Sequence, residues 1–285
     1  MRLRYVPNPP QTRTPAEFDP IISTKLAKVL RELHVPGQQL LLTNIWDPPT
    51  TSLALASPET KVIATDSFAI ASVIGVADDE LTYEDNLEAI GRVSHRLAVE
   101  GRATTIPLTA DLQNGYGTRL EEAIESMLEL GVVGVNLEDS LSSKPGELRL
   151  MDADENAGRI RAAMEVAARK GVANFVINAR TDCVLLGKTI EEAIQRGRKY
   201  LDAGATTVFV WGGMKRGLRD DEVTKLVKGL EGKVNVSYRK DMKDALSVKQ
   251  IADLGVARIS MGSGLWREGM RAVEKELRGI LASSV

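Results

Sequence analysis

Eight short apolar runs, each separated from the next by a stretch of helical spacing, recur along most of this 285-residue chain. The runs fall at residues 39–45, 61–65, 104–110, 132–137, 174–179, 206–210, 233–236 and 256–261. Between and after them, helical periodicity covers 81–100, 119–130, 153–170, 190–203, 220–230, 247–254 and 265–281, with a short segment after Pro49. Gly131, Gly171, Gly204 and Gly255 stand where helix-end glycines are expected in the turn before the next strand. Strands that are apolar at nearly every position need cover on both faces, and eight strand–helix units close a parallel barrel. The predicted fold is therefore α/β, a (β/α)8 TIM barrel. The rival is a doubly wound open sheet, but its Gly-x-Gly-x-x-Gly fingerprint is missing, because the first run ends in TNIWDPPT.

Ahead of the repeat lie a proline-rich stretch at 7–20 and an extra N-terminal helix at 20–34, ended by Pro36-Gly37. The expected organisation is an arm at 1–19 and one barrel domain at 20–285. Hydrophobic residues make up 43% and charged residues 27%, enough for a full core, which excludes a disordered chain. A net charge of -2, with both signs mixed along the helices, gives no field for nucleic acid. No apolar run approaches the roughly 18 residues of a membrane span, and the first residues lack the apolar core of a secretory signal. With a single cysteine, Cys183, internal disulfides are excluded, and a cytoplasmic location is expected. The two histidines, His34 and His95, and Cys183 read as packing or surface residues, so a His-centred triad or His-rich metal site is not expected.

In such a barrel the chemistry gathers where strands end, and the polar residues here do the same. Three cassettes close apolar runs: DLQNGYG at 111–117, NLEDS at 136–140 and NARTD at 178–182. Asp111 and Glu138 are hard oxygen ligands suited to Mg²⁺ or Mn²⁺, or alternatively helix caps or partners of Arg180. Arg180 offers a planar fork that matches a carboxylate, with a bridge to Glu138 as the structural alternative. The Thr65-Asp66-Ser67 turn precedes a small-residue helix start whose backbone N–H groups suit an anion. Tyr116 sits in a Gly-Tyr-Gly turn with its hydroxyl available as a proton handler. The segment 141–150 has the composition of a mobile loop that would carry Lys144 or Glu147 over a substrate. Trp46, Trp211, Asn235 and Ser237 complete the set of expected substrate contacts.

These cassettes in this order, with NIWDPPT and LGVARISMGSGLWR, resemble the isocitrate lyase and phosphoenolpyruvate mutase superfamily over about residues 41–266. The resemblance implies a (β/α)8 barrel that binds Mg²⁺ and a 2-oxo or 2-hydroxy carboxylate and passes through an enolate. It also implies a homo-oligomer, a dimer or tetramer, with the last helix swapped between subunits. Residue by residue, it makes Asp111 the principal metal-linked aspartate, Glu138 its partner, Asp78 of IGVADD a member of the metal–water network and Arg180 the substrate-binding arginine. The Thr65–Ser67 turn becomes the carboxylate-binding loop.

Three departures stand out. The loop after Glu138 lacks the Cys-Gly-His that donates a proton in the lyases, Gln113 replaces an acidic residue, and Trp211 replaces the Glu or His of other members. The expected activity is a Mg²⁺-dependent lyase that breaks or forms a C–C bond beside a 2-oxo carboxylate. Lys144, Glu147 or Tyr116 would handle protons. Hydrolysis of oxaloacetate or a phosphonate-like 2-oxo acid is the second enzyme reading, and a barrel that binds without catalysis is the third.

Overall fold

A computed structural model describes residues 18–142, 147–240 and 245–283. Helix α1 (Pro20–Glu32) starts at Asp19, whose carboxylate accepts the N–H groups of Ile21 and Ile22. The first apolar run splits into β1 (Leu40–Leu42) and β2 (Asn44–Ile45). Helix α2 (Pro48–Leu55), β3 (Ile63–Thr65), α3 (Ser67–Ile74), α4 (Tyr83–Val99), β4 (Leu108–Asp111), α5 (Leu120–Glu129) and β5 (Val132–Glu138) follow. A small antiparallel hairpin, β6 (Ser140–Ser142) and β7 (Leu148–Leu150), leaves the barrel before α6 (Ala153–Arg169). The chain continues through β8 (Val176–Thr181), α7 (Ile190–Asp202), β9 (Thr207–Val210), a one-turn α8 (Gly213–Arg216) and α9 (Asp220–Gly229). It ends with β10 (Val234–Ser237), α10 (Val248–Asp253), β11 (Arg258–Ser260) and α11 (Gly264–Ala282).

All pairings in the main sheet are parallel, in the order β1-β11-β10-β9-β8-β5-β4-β3-β2. The two edges are pieces of one run: β1 bonds to β11 while β2, a single residue further on, bonds to β3. The sheet therefore closes into an eight-position (β/α)8 barrel, and the break at Thr43 is where the first run exchanges one neighbour for the other. Staggered strands demand such an offset. All eight predicted runs contain a strand, and the four expected glycines adopt positive φ, from 75° at Gly131 to 109° at Gly204.

Helix α1 closes the end of the barrel where the strands begin. Thr24 Oγ1 donates to the carbonyl of Gly171 at 2.6 Å and Arg31 Nη2 to that of Phe175 at 2.8 Å, both just ahead of β8. Leu26, Ala27 and Leu30 are buried in the core, and Leu30 packs over Gly134. A Cβ at Gly134 would lie 2.8 Å from the Val176 carbonyl oxygen and 2.9 Å from Leu30 Cδ2, so the helix seats only because this position has no side chain. His34, just past the helix, is buried and donates Nδ1–H to Leu30 O at 2.7 Å, which leaves Nε2 as the bare acceptor nitrogen. Burial holds its pKa down at about 3. Cys183 is buried in the core, as expected, with its thiol pushed up to about 11 by burial.

Helix α11 behaves differently from the others. None of its residues is buried, and Met270, Val273, Leu277, Ile280 and Leu281 form an exposed apolar stripe at helical spacing. Its first turns are anchored by Trp266, edge-on to Phe68 at 5.7 Å, and by Arg267 over the Phe68 ring. No helix among the described residues is long and apolar enough to cross a membrane.

Candidate active site

One cavity of about 490 Å³ opens at the carboxyl ends of the strands. Strand register decides what faces it. Asp111 pairs with Asn136 across β4 and β5, and Asn136 and Glu138 pair with Asn178 and Arg180 across β5 and β8. Residues two apart share a face, so each strand delivers its polar residues inward together. Beneath the mouth these groups form a hydrogen-bonded chain. Thr207 Oγ1 donates to Asn178 Oδ1 at 2.7 Å, Asn178 Nδ2 to Asn136 Oδ1 at 2.8 Å, and Asn136 Nδ2 to Asp111 Oδ1 at 3.0 Å. The chain ends on the carboxylate and fixes its orientation.

The other oxygen, Asp111 Oδ2, accepts from the Ser67 hydroxyl at 2.8 Å and the Ser67 N–H at 3.1 Å. The Thr65–Ser67 turn is thus brought to the site, but the Ser67 N–H is already used by Asp111. Asp78 joins through Ser67 Oγ at 3.2 Å and is pinned by Gln113, whose Nε2 donates to its carbonyl at 2.5 Å and to its Oδ1 at 3.0 Å. Gln113 therefore replaces a charge by a donor that holds Asp78 in place. Asp66 lies below, with Oδ2 buried and unpartnered, and its pKa is pushed well up by burial and by Asp111 and Asp78. Burial and Asp111 also raise Asp78.

Arg180 faces this acidic group. Its Nε and Nη2 grip Asp182 at 2.7 and 3.1 Å, and its Nη1 donates to Glu138 at 2.8 Å. Three of the five guanidinium N–H groups are spent, which leaves two for a ligand. Although burial opposes it, the Asp182 and Glu138 carboxylates raise the Arg180 pKa. Glu138 is raised in turn by its burial, which Arg180 only partly offsets. Trp211 lies across the guanidinium, 4.1 Å from ring centroid to Cζ, and closes one wall. Behind Arg180, Asp139 accepts the Asp182 N–H at 3.0 Å and the Tyr200 hydroxyl at 2.7 Å, so the NLEDS and NARTD cassettes brace each other.

Not every expected residue reaches the cavity. Trp46 packs on a satellite cluster with Ile70, Ala71 and Leu81 rather than on the cavity wall. Asn235 is fully buried one layer down, donating to Ser260 Oγ at 3.0 Å, whereas Ser237 lines the wall. Glu147 is exposed and off the cavity, and Lys144 lies outside the described residues. The segment expected to act as a lid forms the β6–β7 hairpin, which places Ser142 and Leu148 at the cavity edge. Tyr116 does line the cavity. Its hydroxyl accepts from Asn86 Nδ2 at 2.8 Å, and burial raises its pKa, which suits a donor rather than a base. The turn before it is tight: Gly115 has φ 72°, and a Cβ there would meet Leu120 Cδ1 at 2.6 Å.

The acidic set fits a divalent cation. All candidate donors are oxygens, Asp66 Oδ2 is unpartnered, and Asp66 and Asp78 are raised by burial and then by neighbouring carboxylates, a repulsion that a cation would relieve. No group of three metal-ligating side chains converges among the described residues, so one or two carboxylates with water would complete the coordination. Among the described cavity residues there is neither a histidine nor a cysteine.

Sequence reasoning passed over Asn86, which donates to Asp111 O at 3.0 Å, and Arg258, which lies at the cavity floor. A signal for Arg258 did exist, as a charged residue inside an otherwise apolar run.

Known proteins share this architecture. A family model described as phosphoenolpyruvate phosphomutase matches residues 30–281. An uncharacterised protein of Mycobacterium tuberculosis is 28% identical over 251 residues, 87% of each chain. The oxaloacetate decarboxylase of Pseudomonas entomophila is 30% identical over 189 residues, 64% of this chain and 61% of its own. The crystal structure of 2,3-dimethylmalate lyase, a PEP mutase/isocitrate lyase superfamily member, superposes with a TM-score of 0.76 at 21% identity, covering 93% of this chain and 86% of the other. At that identity the likeness speaks for the fold.

Proposed function

Because this chain belongs to the phosphoenolpyruvate phosphomutase family, within the isocitrate lyase superfamily, we propose that it is a Mg²⁺- or Mn²⁺-dependent enzyme that breaks or forms a C–C bond beside a 2-oxo carboxylate. The observation that carries this reading is the apposition, in one cavity, of the Asp111–Asp78–Glu138 carboxylates and an Arg180 with two N–H groups to spare. Asp111 and Glu138 would hold the cation, with Asp78 ordering its waters. The ion's Lewis acidity would favour negative charge on the oxygen next to the scissile bond.

The remaining work falls to the chain itself. Arg180, fixed on two sides by Asp182 and Glu138, presents its free N–H groups to the substrate carboxylate without having to reorganise. Trp211 keeps water off that contact and gives the departing fragment an apolar wall. The Ser67 hydroxyl and the asparagine chain hold Asp111 as an acceptor. Tyr116 offers a hydroxyl proton to the cavity it lines, and Lys144 remains the cation expected from the sequence. The relative named as a decarboxylase supports C–C chemistry.

Turnover of 2-oxo and 2-hydroxy diacids, followed by product analysis with Mg²⁺ and after chelation, tests the reading. Activity should vanish on chelation and fall on the order of 10³-fold in Asp111→Ala. Full rate in metal-free Asp111→Ala protein would sink it, and oxygen from labelled water entering the product would move the assignment to hydrolysis. The same resemblance leads us to assign the α11 stripe to a homo-oligomer, dimer or tetramer, because an exposed helix face with Leu277, Ile280 and Leu281 calls for cover. Light scattering of the intact protein that returned only monomer mass would remove this assignment.

A further inference from the structure

The interior of a barrel of this type is ordinarily packed with branched apolar side chains. Here the layer under the mouth is polar, and at its floor stands an arginine. Arg258 is 3% exposed and lies in β11 beside Asn235 of β10. Nε donates to Ser260 Oγ at 3.2 Å, which fixes the plane of the guanidinium. Nη1 is buried with no hydrogen-bond partner, and among the described residues no carboxylate lies within 4.0 Å of the group. A second orphan, Thr109 Oγ1, is buried on β4. Arg258 and Thr109 both line the cavity that Arg180 and Asp111 line at its mouth.

A charge taken from water without a partner is costly, and burial lowers the Arg258 pKa to about 9, with Asp111 opposing the shift. The acidic residues do not supply the partner: none among the described residues stands within ion-pair distance of the group, and the Asp111 oxygens are turned to Ser67 and Asn136. Asp111 raises the pKa of both Arg180 and Arg258, and all three line the one cavity. One guanidinium suffices for one carboxylate. A second, unpaired and open to the same cavity, calls for a second anionic group.

We propose that Arg258, with Thr109, forms an anion subsite at the cavity floor that receives a second, distal acidic group of the substrate whose first carboxylate is held by Arg180. This assignment rests on the reading of the mouth as a 2-oxo acid site. It makes the substrate a 2-oxo diacid and gives Arg258 the role of selecting it, with the guanidinium fork and the Thr109 hydroxyl as the donors.

Calorimetry in the presence of Mg²⁺ separates the two claims, using 2-oxobutyrate as the mono-acid probe and oxaloacetate and 2-oxoglutarate as diacids of increasing reach. The wild-type protein should bind at least one diacid about tenfold or more tighter than 2-oxobutyrate. Arg258→Met should erase that advantage while leaving 2-oxobutyrate affinity within about twofold, and Arg258→Lys should retain part of it. If 2-oxobutyrate binds but no diacid binds better, the floor subsite is overturned and the mouth reading stands. If the advantage survives in Arg258→Met, another cation selects the diacid, and the assignment is again overturned. If none of the three ligands binds, the mouth reading fails and takes the subsite with it. Should Arg258→Met not fold, the wild-type preference and its reduction in Arg258→Lys decide the matter. Crystals soaked in bromide give the remaining arm. Bromide at Arg258 that is displaced by the diacid supports the subsite, whereas bromide that persists beside bound diacid shows an inorganic anion site and overturns the substrate role.

Discussion

At the carboxyl ends of the strands Glu138, Arg180 and Asp182 knit neighbouring ladders together with charge, while at the amino ends Leu26 and Leu30 of α1 close the same barrel with apolar side chains set over Gly134. The mouth is held by directional contacts that tolerate no change of geometry, and the base by packing that tolerates no change of volume. Substitutions at the two ends should therefore fail in different ways: at the mouth through activity with the fold intact, at the base through stability with the site intact. The largest expected effect is at Arg180. Lysine in its place supplies a point charge that cannot serve Asp182, Glu138 and a ligand at once, so kcat/KM should fall roughly 10² to 10³-fold with little change in melting temperature. Equal losses of activity and stability would show that the arginine serves the fold as much as the ligand.

At the base, Gly134→Val is the counterpart. The added carbons have nowhere to go, since a Cβ at this position would already stand within 2.9 Å of the Val176 carbonyl and Leu30, and overpacking of this kind costs about 1–3 kcal/mol. Urea denaturation should report that loss, and the surviving folded fraction should keep its kcat. A drop in kcat at full stability would mean that α1 communicates with the mouth.

How much of this was legible in the sequence follows the same division. Strand ends are legible because a polar residue closing an apolar run has few places to be, and Asp111, Glu138 and Arg180 all arrive where that logic puts them. Proximity in sequence misleads where a side chain turns outward: Trp46 follows a strand end directly, yet packs behind α3 with Ile70 and Ala71. Arg258 escaped because β11 alternates faces and the sequence does not say which face is inside; with Ile259 outward, arginine falls inward. Asn86 escaped for the opposite reason, since a lone asparagine on a helix looks solvated until the helix docks against Asp111. The stretch 141–150 read as an irregular loop because strands as short as three residues carry too little alternation to register.

His34 tests the base through pH. Its folded pKa of about 3 lies below the ordinary value of 6.5, so the unfolded chain binds a proton that the folded one does not. Stability from the neutral imidazole is complete above about pH 6.5 and declines as pH falls toward 3, by up to about 1.4 kcal/mol per unit. Denaturation at pH 7 and pH 5 should therefore show a loss in the wild type that exceeds the loss in His34→Gln by roughly 2 kcal/mol. Parallel losses in the two proteins would place the titration elsewhere.

The smallest effect, and one that tests the proposed cation at the mouth, is expected at Gln113. Its amide now donates twice to Asp78, and a glutamate there would set a third negative charge against Asp78 and Asp111 with nothing to receive it. In chelator-treated buffer Gln113→Glu should lose about 1 kcal/mol, a few degrees in melting temperature, through like-charge repulsion. Millimolar Mg²⁺ should then restore more stability to the variant than to the wild type, because the added charge strengthens the ion's hold on the site. The comparison needs only thermal melts with and without metal, so it does not depend on knowing the substrate. If Mg²⁺ shifts both proteins equally, Gln113 lies beyond the reach of the ion, and its role is to position Asp78 alone.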